Sequence, residues 1–343
     1  MMFRFRNQVV SISLARRIFS VPTLVSVALA LAFLAFLVTR FEVDLGATWA
    51  QVKSANPWFL GLAFLVHYST FVFRGARWRL LLRNVQDPDT PVPGVFYCSQ
   101  LTLLSWFANS VAWFRLGDAY RAYIYHQEQN TSFSRTAGTI LAERVLDTML
   151  VVLLLAASLP FILGQGAQTS WMVLGIASVL LAWMGIVLVA IAIARKRVLQ
   201  WLPSWLAERF QRFHDGALGS FRQLPLVTLW GLLGWLVEIE RLYLVTLALG
   251  LDLSFALIVF ITLANSLLTL VPTPGGLGAV ESGVAGVLGR LSTLSAPSVL
   301  ALILVDRSIS YVSIIIVGAG LFLVRQFRRR APTTSEAPIL DQD

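Results

Sequence analysis

Apolar residues along this chain gather in runs long enough to cross a bilayer, and short arginine-rich stretches divide them. A helical span needs about 20 such residues. Six runs fit that length as full spans: residues 22–38, 57–73, 137–163, 171–194, 226–250 and 297–324. Two further runs break off differently. Residues 95–114 lead into the polar string Arg115-Leu116-Gly117-Asp118-Ala119-Tyr120-Arg121, and residues 253–271 meet Pro272-Thr273-Pro274-Gly275-Gly276-Leu277-Gly278 before resuming as a shorter helix towards Leu288. Polar or Pro- and Gly-rich interruptions break a helix, and broken backbone is tolerated at membrane depth only inside protein or beside a water-filled cavity. Both runs are therefore expected to be re-entrant hairpins. The fold class predicted is an all-α membrane protein: a polytopic helical bundle of six full spans plus two hairpins, forming one transmembrane domain over residues 1–330.

Composition agrees with lipid as the solvent: 57% of the 343 residues are hydrophobic, 13% are charged, and the mean hydropathy is +0.73. A net charge of +9 raises the question of nucleic acid, but the arginines cluster at the ends of apolar runs. That placement is the signature of loops retained in the cytoplasm. The basic groups Arg4–Arg17, Arg74–Arg83, Arg195–Arg222 and Arg325–Arg330 all fall on one side when six spans and two hairpins are threaded through the membrane. Both termini are then cytoplasmic, in what reads as a bacterial inner membrane. The N-terminal run continues to Arg40 without a small-residue cleavage site and reads as an uncleaved anchor. Residues 331–343, rich in Pro, Thr and Ser, are expected to be a disordered tail. One cysteine, Cys98, and three scattered histidines, His67, His126 and His214, suit neither a disulfide framework nor a metal site, and no cofactor is expected.

The order of features repeats. Ala108-Asn109-Ser110 recurs as Ala264-Asn265-Ser266, each ahead of a break, and each broken run is followed by a span with an acid and an arginine side by side, Glu143-Arg144 and Asp306-Arg307. Each is preceded by a span carrying an arginine, Arg77 or Arg241. With the topology above, residues of about 57–164 and 225–325 form inverted-topology repeats, an architecture of secondary transporters whose sites lie where two broken elements meet.

Glu143, Arg144, Asp306 and Arg307 stand inside apolar spans, where a charge costs ~2.5–3.5 kcal/mol on insertion scales. They either grip an anionic headgroup or form a structural clamp between the repeats. The segment Pro274-Gly275-Gly276-Leu277-Gly278 allows close backbone approach, and the helix start after it, with Glu281 in its first turn, offers N–H groups to an anion. Gly117, Asp118 and Arg121 form the corresponding tip, read either as a binding element or as an interfacial loop. Arg74–Arg83 is first a topology signal and second a collector of lipid headgroups. Glu238 beside Arg241 reads as an ion pair or a proton relay, His67 as a hydrogen-bonded bundle residue, and the tryptophans mostly as interfacial anchors. No nucleophile–base pair or nucleotide loop appears, so no catalytic residue is named.

In these residues the chain resembles the flippase-like transmembrane region of the lysylphosphatidylglycerol synthase family, as a stand-alone member without the soluble synthetase domain. The resemblance rests on Arg74–Arg79, Asn109 with Leu116-Gly117-Asp118 and Arg121, Glu143-Arg144 with Asp147, Pro274–Gly278 with Glu281, and Arg307. It implies translocation of an anionic phospholipid or lipid-linked substrate across the cytoplasmic membrane. Two alternatives stand beside it: a non-transporting membrane partner of an envelope-lipid or glycosyl-transfer enzyme, and a membrane-embedded enzyme acting on a polyprenyl phosphate. Expected partners are the bilayer, the lipid, and either such an enzyme or further copies of the chain.

Overall fold

The computed structural model describes residues 44–86, 91–112, 116–163 and 199–330, with single positions between 171 and 189. The expected span at 22–38, most of that at 171–194, and the tail after Arg330 lie outside the described residues. The rest is helical. Helix α1 (Leu45–Lys53) is capped by Asp44, whose carboxylate accepts from the Ala47 amide at 3.0 Å. Helix α2 (Pro57–Val85) starts with Asn56 capping the Trp58 amide at 3.0 Å and a proline in the first turn, where no intrahelical N–H is lost.

Next come α3 (Val95–Val111), α4 (Gly117–Gln129), α5 (Phe133–Leu163) and α6 (Ser204–Gly219), followed by α7 (Leu224–Ala248), α8 (Phe255–Leu268) and α9 (Ala279–Leu291). The last helix runs from Ala296 to Arg330 with one five-residue π turn, Ser308–Val312, separating α10 (Ala296–Arg307) from α11 (Ser313–Arg330). Among the described residues, three helical stretches are long and apolar enough to cross a membrane: Pro57–Val85, Phe133–Ile162 and Ala296–Phe327. Helix α7 has the length, 25 residues, but carries Glu238, Glu240 and Arg241 in its second half.

Large apolar side chains such as Leu65, Leu153, Phe161, Leu236 and Ile316 point outward, whereas many charged ones point inward. That is the arrangement expected where lipid surrounds the bundle. The core consists of two main apolar bodies. One joins α7, α8, α9 and α10, with Val245, Ile258, Leu288 and Leu302 at its centre. The other joins α2, α3 and α4 around Trp78, Leu81, Leu101 and Tyr125.

The chain doubles back at both broken segments. At the mouth of the first, Tyr97 near the start of α3 donates to Glu128 near the end of α4 at 2.5 Å, and Arg325 closes on the same carboxylate at 2.6 Å. The second opens at the other end of the molecule. There Asn56 N donates to Ala248 O at 2.8 Å, just ahead of α8, and Gln51 meets Ser298, just beyond α9, at 2.9 Å.

Two boundaries differ from the sequence expectation. The span expected to end at Phe73 continues to Val85, and Arg74 and Arg77 are buried within the bundle, not in a loop. Arginine is a good helix former, and carboxylates from α5 meet both side chains there. Gly117–Arg121, read as a loop tip, is instead the first turn of α4, and Arg121 is fully buried with no snorkelling path to water.

Candidate functional site

A web of ion pairs fills the space between α2, α4 and α5. Arg77 clamps Asp147 with two parallel bonds of 2.6 and 3.0 Å and reaches Glu143 at 3.2 Å. Arg121 holds the other Glu143 oxygen at 2.9 Å and stacks on Trp78, its guanidinium 4.6 Å from the ring centre. Arg144 turns the other way, to Asp118 at 3.0 Å. Glu143 and Arg144 are adjacent in sequence, yet successive helix positions face different directions, and their mutual approach is only 3.4 Å. Arg74 has the loosest charge partner, Asp147 at 3.5 Å, and is held mainly between two rings, Trp106 at 5.1 Å and Trp235 at 5.0 Å.

A smaller web joins α7, α9 and α10. Arg241 contacts Asp306 closely and Glu238 at 3.3 Å. Arg307 turns away from its sequence neighbour Asp306 and pairs with Glu281 at 2.7 Å. It also donates to the Gly275 carbonyl at 3.0 Å and lies over Tyr311, 4.6 Å from the ring centre. Glu281 simultaneously accepts from the Gly278 amide at 2.7 Å, so the start of α9, expected to be open to an anion, is capped from within.

At the two breaks, Gly117 and Gly275 each permit a close approach. A Cβ on Gly117 would lie 1.9 Å from the Ser105 carbonyl oxygen, and the Gly117 amide uses that proximity to donate to Asn109 at 2.8 Å. Gly275, at φ +59°, lies flat against Tyr311, where a Cβ would come within 2.1 Å of the ring. The Tyr311 hydroxyl in turn donates to the Ser110 carbonyl at 2.9 Å, joining the second break to the end of α3.

Between the breaks lies a cavity of about 190 Å³, lined by both webs. Of the residues assigned to the substrate site from the sequence, Asn109, Arg144, Asn265, Gly275 and Arg307 line it. Glu143, Asp306, Arg121 and Asp118 lie behind the lining and hold its arginines or their partners. Gly117, Pro274, Gly276, Gly278 and Glu281 shape the breaks. The side chains of Arg144 and Arg307 keep 28% and 12% exposure, whereas Glu143 has none.

Sequence reasoning did not place Arg74, Trp106, Trp235, Glu238, Arg241 or Tyr311 in this lining. Helical spacing carried a signal. Trp106 is three residues before Asn109, Tyr311 four after Arg307, and Arg74 and Glu238 each three before a paired arginine, so each shares a face with a residue already of interest.

A family model described as the lysylphosphatidylglycerol synthase TM region matches residues 23–318. A UPF0104 membrane protein of Methanocaldococcus jannaschii is 32% identical over 226 residues, 64% of this chain and 94% of that protein. A second, from Methanothermobacter thermautotrophicus, is 24% identical over 326 residues, 86% of this chain and 91% of its own. A protein named glycosyltransferase AglD from Haloferax volcanii is 23% identical over 373 residues, covering 96% of this chain and 58% of that protein. No solved structure matches.

Proposed function

Because the chain belongs to the lysylphosphatidylglycerol synthase TM-region family, we propose that it is a flippase-like lipid translocase that takes an anionic phospholipid or lipid-linked headgroup into the cavity between its two breaks. One observation carries this reading: the ion pairs of the two halves correspond around a single cavity. Arg77 meets Glu143 as Arg241 meets Asp306, and Arg144 meets Asp118 in the first turn of α4 as Arg307 meets Glu281 in the first turn of α9. In this reading residues of about 57–164 and 225–325 are inverted repeats, and α3–α4 and α8–α9 are hairpins entering from opposite faces. Six full spans then place both termini in the cytoplasm, in one domain over residues 1–330 followed by a tail.

Chemistry favours an anion. Arg74, Arg144, Arg241 and Arg307 line the cavity against Asp147 and Glu238. Guanidinium groups bind phosphate through paired hydrogen bonds, and a π turn beside Arg307 is the kind of helix irregularity found at binding sites. The chain carries no catalytic role of its own in this account.

The decisive experiment compares retained lipid and thermal stability in detergent. Arg144→Ala and Arg307→Ala are expected to weaken retention of anionic lipid about tenfold or more, the loss of a charged hydrogen bond worth ~1.5–3 kcal/mol. Adding the change that neutralises the partner in space, Asp118→Asn or Glu281→Gln, should recover stability without recovering lipid. Recovery of both would make these pairs a clamp and remove the site. A second reading comes from the relative named a glycosyltransferase, whose length extends well beyond the region shared with this chain: this chain is then a membrane partner of such an enzyme. Reconstitution separates the two, since only a translocase changes leaflet distribution without a second protein.

A further inference from the structure

His67 lies about ten residues into α2, roughly 15 Å below its start at 1.5 Å per residue. It is completely buried, and among the described residues neither ring nitrogen has a hydrogen-bond partner, contrary to the bonded bundle residue expected from the sequence. Buried polar groups left unpaired are rare and call for an explanation. The nearest candidate is Glu238: its Oε1 also lacks a hydrogen bond and stands 3.7 Å from His67 Nδ1. Its other oxygen accepts from Arg241, and Glu238 itself lines the cavity. The other ionisable groups around His67 are Arg241 on α7, Asp306 on α10, and Tyr68 and Arg74 on its own helix; the faces of Phe71 and Trp106 complete its surroundings.

The balance of charge supplies the reason for this pair. Across the two webs, six arginines are matched by six carboxylates, so the empty site is neutral. A headgroup with one negative charge would leave it one charge short, and net charge buried out of water is strongly unfavourable. A proton on His67 Nδ1 restores neutrality and converts a gap between two unpaired atoms into a charge-assisted hydrogen bond to Glu238. It also draws Glu238 away from Arg241, leaving that guanidinium freer for the headgroup.

Building on the lipid-translocase reading, we propose that His67 and Glu238 form the proton site of a proton-coupled transporter, loading one proton with each anionic headgroup and releasing it with the lipid. The proton comes from solution, bonds to Nδ1 on loading and returns to water on release; no other bond is made or broken.

The test uses the full chain in mild, weakly buffered detergent, with short-chain phosphatidylglycerol as the probe and zwitterionic phosphatidylcholine as the control. A pH-indicator dye should report uptake of about one proton per phosphatidylglycerol bound. Affinity should tighten about tenfold per unit fall in pH, over the range where the empty site is unprotonated and the loaded site protonated, and level off on either side. His67→Gln and, independently, His67→Asn should flatten that slope, while His126→Gln leaves it unchanged. Binding without proton uptake, or a slope that persists in both His67 variants, overturns the proton site and leaves the lipid reading intact. Absence of phosphatidylglycerol binding at every pH removes both. Lipid binding by the wild-type chain without proton uptake overturns the proton site even if the variants fold poorly.

Discussion

At the residue scale, burial and partnership decide what each arginine does. Arg77 and Arg74 are one helical turn apart and both buried, yet Arg77 makes paired bonds to Asp147 and a contact to Glu143, whereas Arg74 is held by two tryptophan faces. Arg77→Ala removes the two short bonds to Asp147, leaving it only contacts of 3.5 Å to Arg74 and Arg144, and takes one arginine from Glu143, which keeps Arg121 at 2.9 Å; breaking such a buried pair costs roughly 3–5 kcal/mol. Arg74→Ala leaves Asp147 still paired and loses mainly stacking, ~2 kcal/mol when desolvated. Thermal unfolding in detergent should show Arg77→Ala as the more damaging by a wide margin, and headgroup binding should fall in Arg74→Ala while the fold persists. Equal loss of stability in both would contradict this division. The acid–arginine dipeptides were legible as intramembrane charge. Their partners were not, because adjacent side chains on a helix diverge and the partner comes from another element.

At the element scale, the breaks define the site. The sequence pattern located both: Pro and Gly interrupt an apolar run at 272–278, and a polar string follows Phe114. It did not show that Gly117 begins a helix, because only the packing of that turn against α3 reveals how little room there is. Gly117→Ala places a methyl where the Ser105 carbonyl stands, and is expected to lower folded yield and lipid retention together. Gly61→Ala, with open space around its Cβ position, should change neither. Gly275→Ala is expected to push Tyr311 off Arg307 and break its bond to Ser110, so lipid retention should drop more than yield. Native-gel yield and bound-lipid mass spectrometry measure the two effects separately.

At the scale of the whole molecule, the described helices have two distinct ends. Gln86 bonds Tyr125, and Asn84 reaches Ser220, at one; Asn56, Ala248, Gln51 and Ser298 meet at the other. In a Cys98→Ser background, cysteines at residues 86 and 215 should be protected in intact cells, and one at residue 47, exposed beside the buried Thr48, should react with an impermeant thiol reagent. Labelling of 86 and 47 from the same side would refute the proposed threading. Cys98 is itself buried, so the background change removes little reactivity.

The sequence by itself determined the solvent, since no other environment accepts so many long apolar runs, and it located the breaks and the intramembrane charges through composition alone. Tertiary structure decided which charges meet. Asp306 belongs to Arg241 and not to Arg307, Glu281 closes its own helix start, and His67 faces the one Glu238 oxygen that Arg241 leaves unbonded. Such pairings depend on how helices rotate and cross, and each rotation is set by the packing of the entire bundle, which no local stretch of sequence contains.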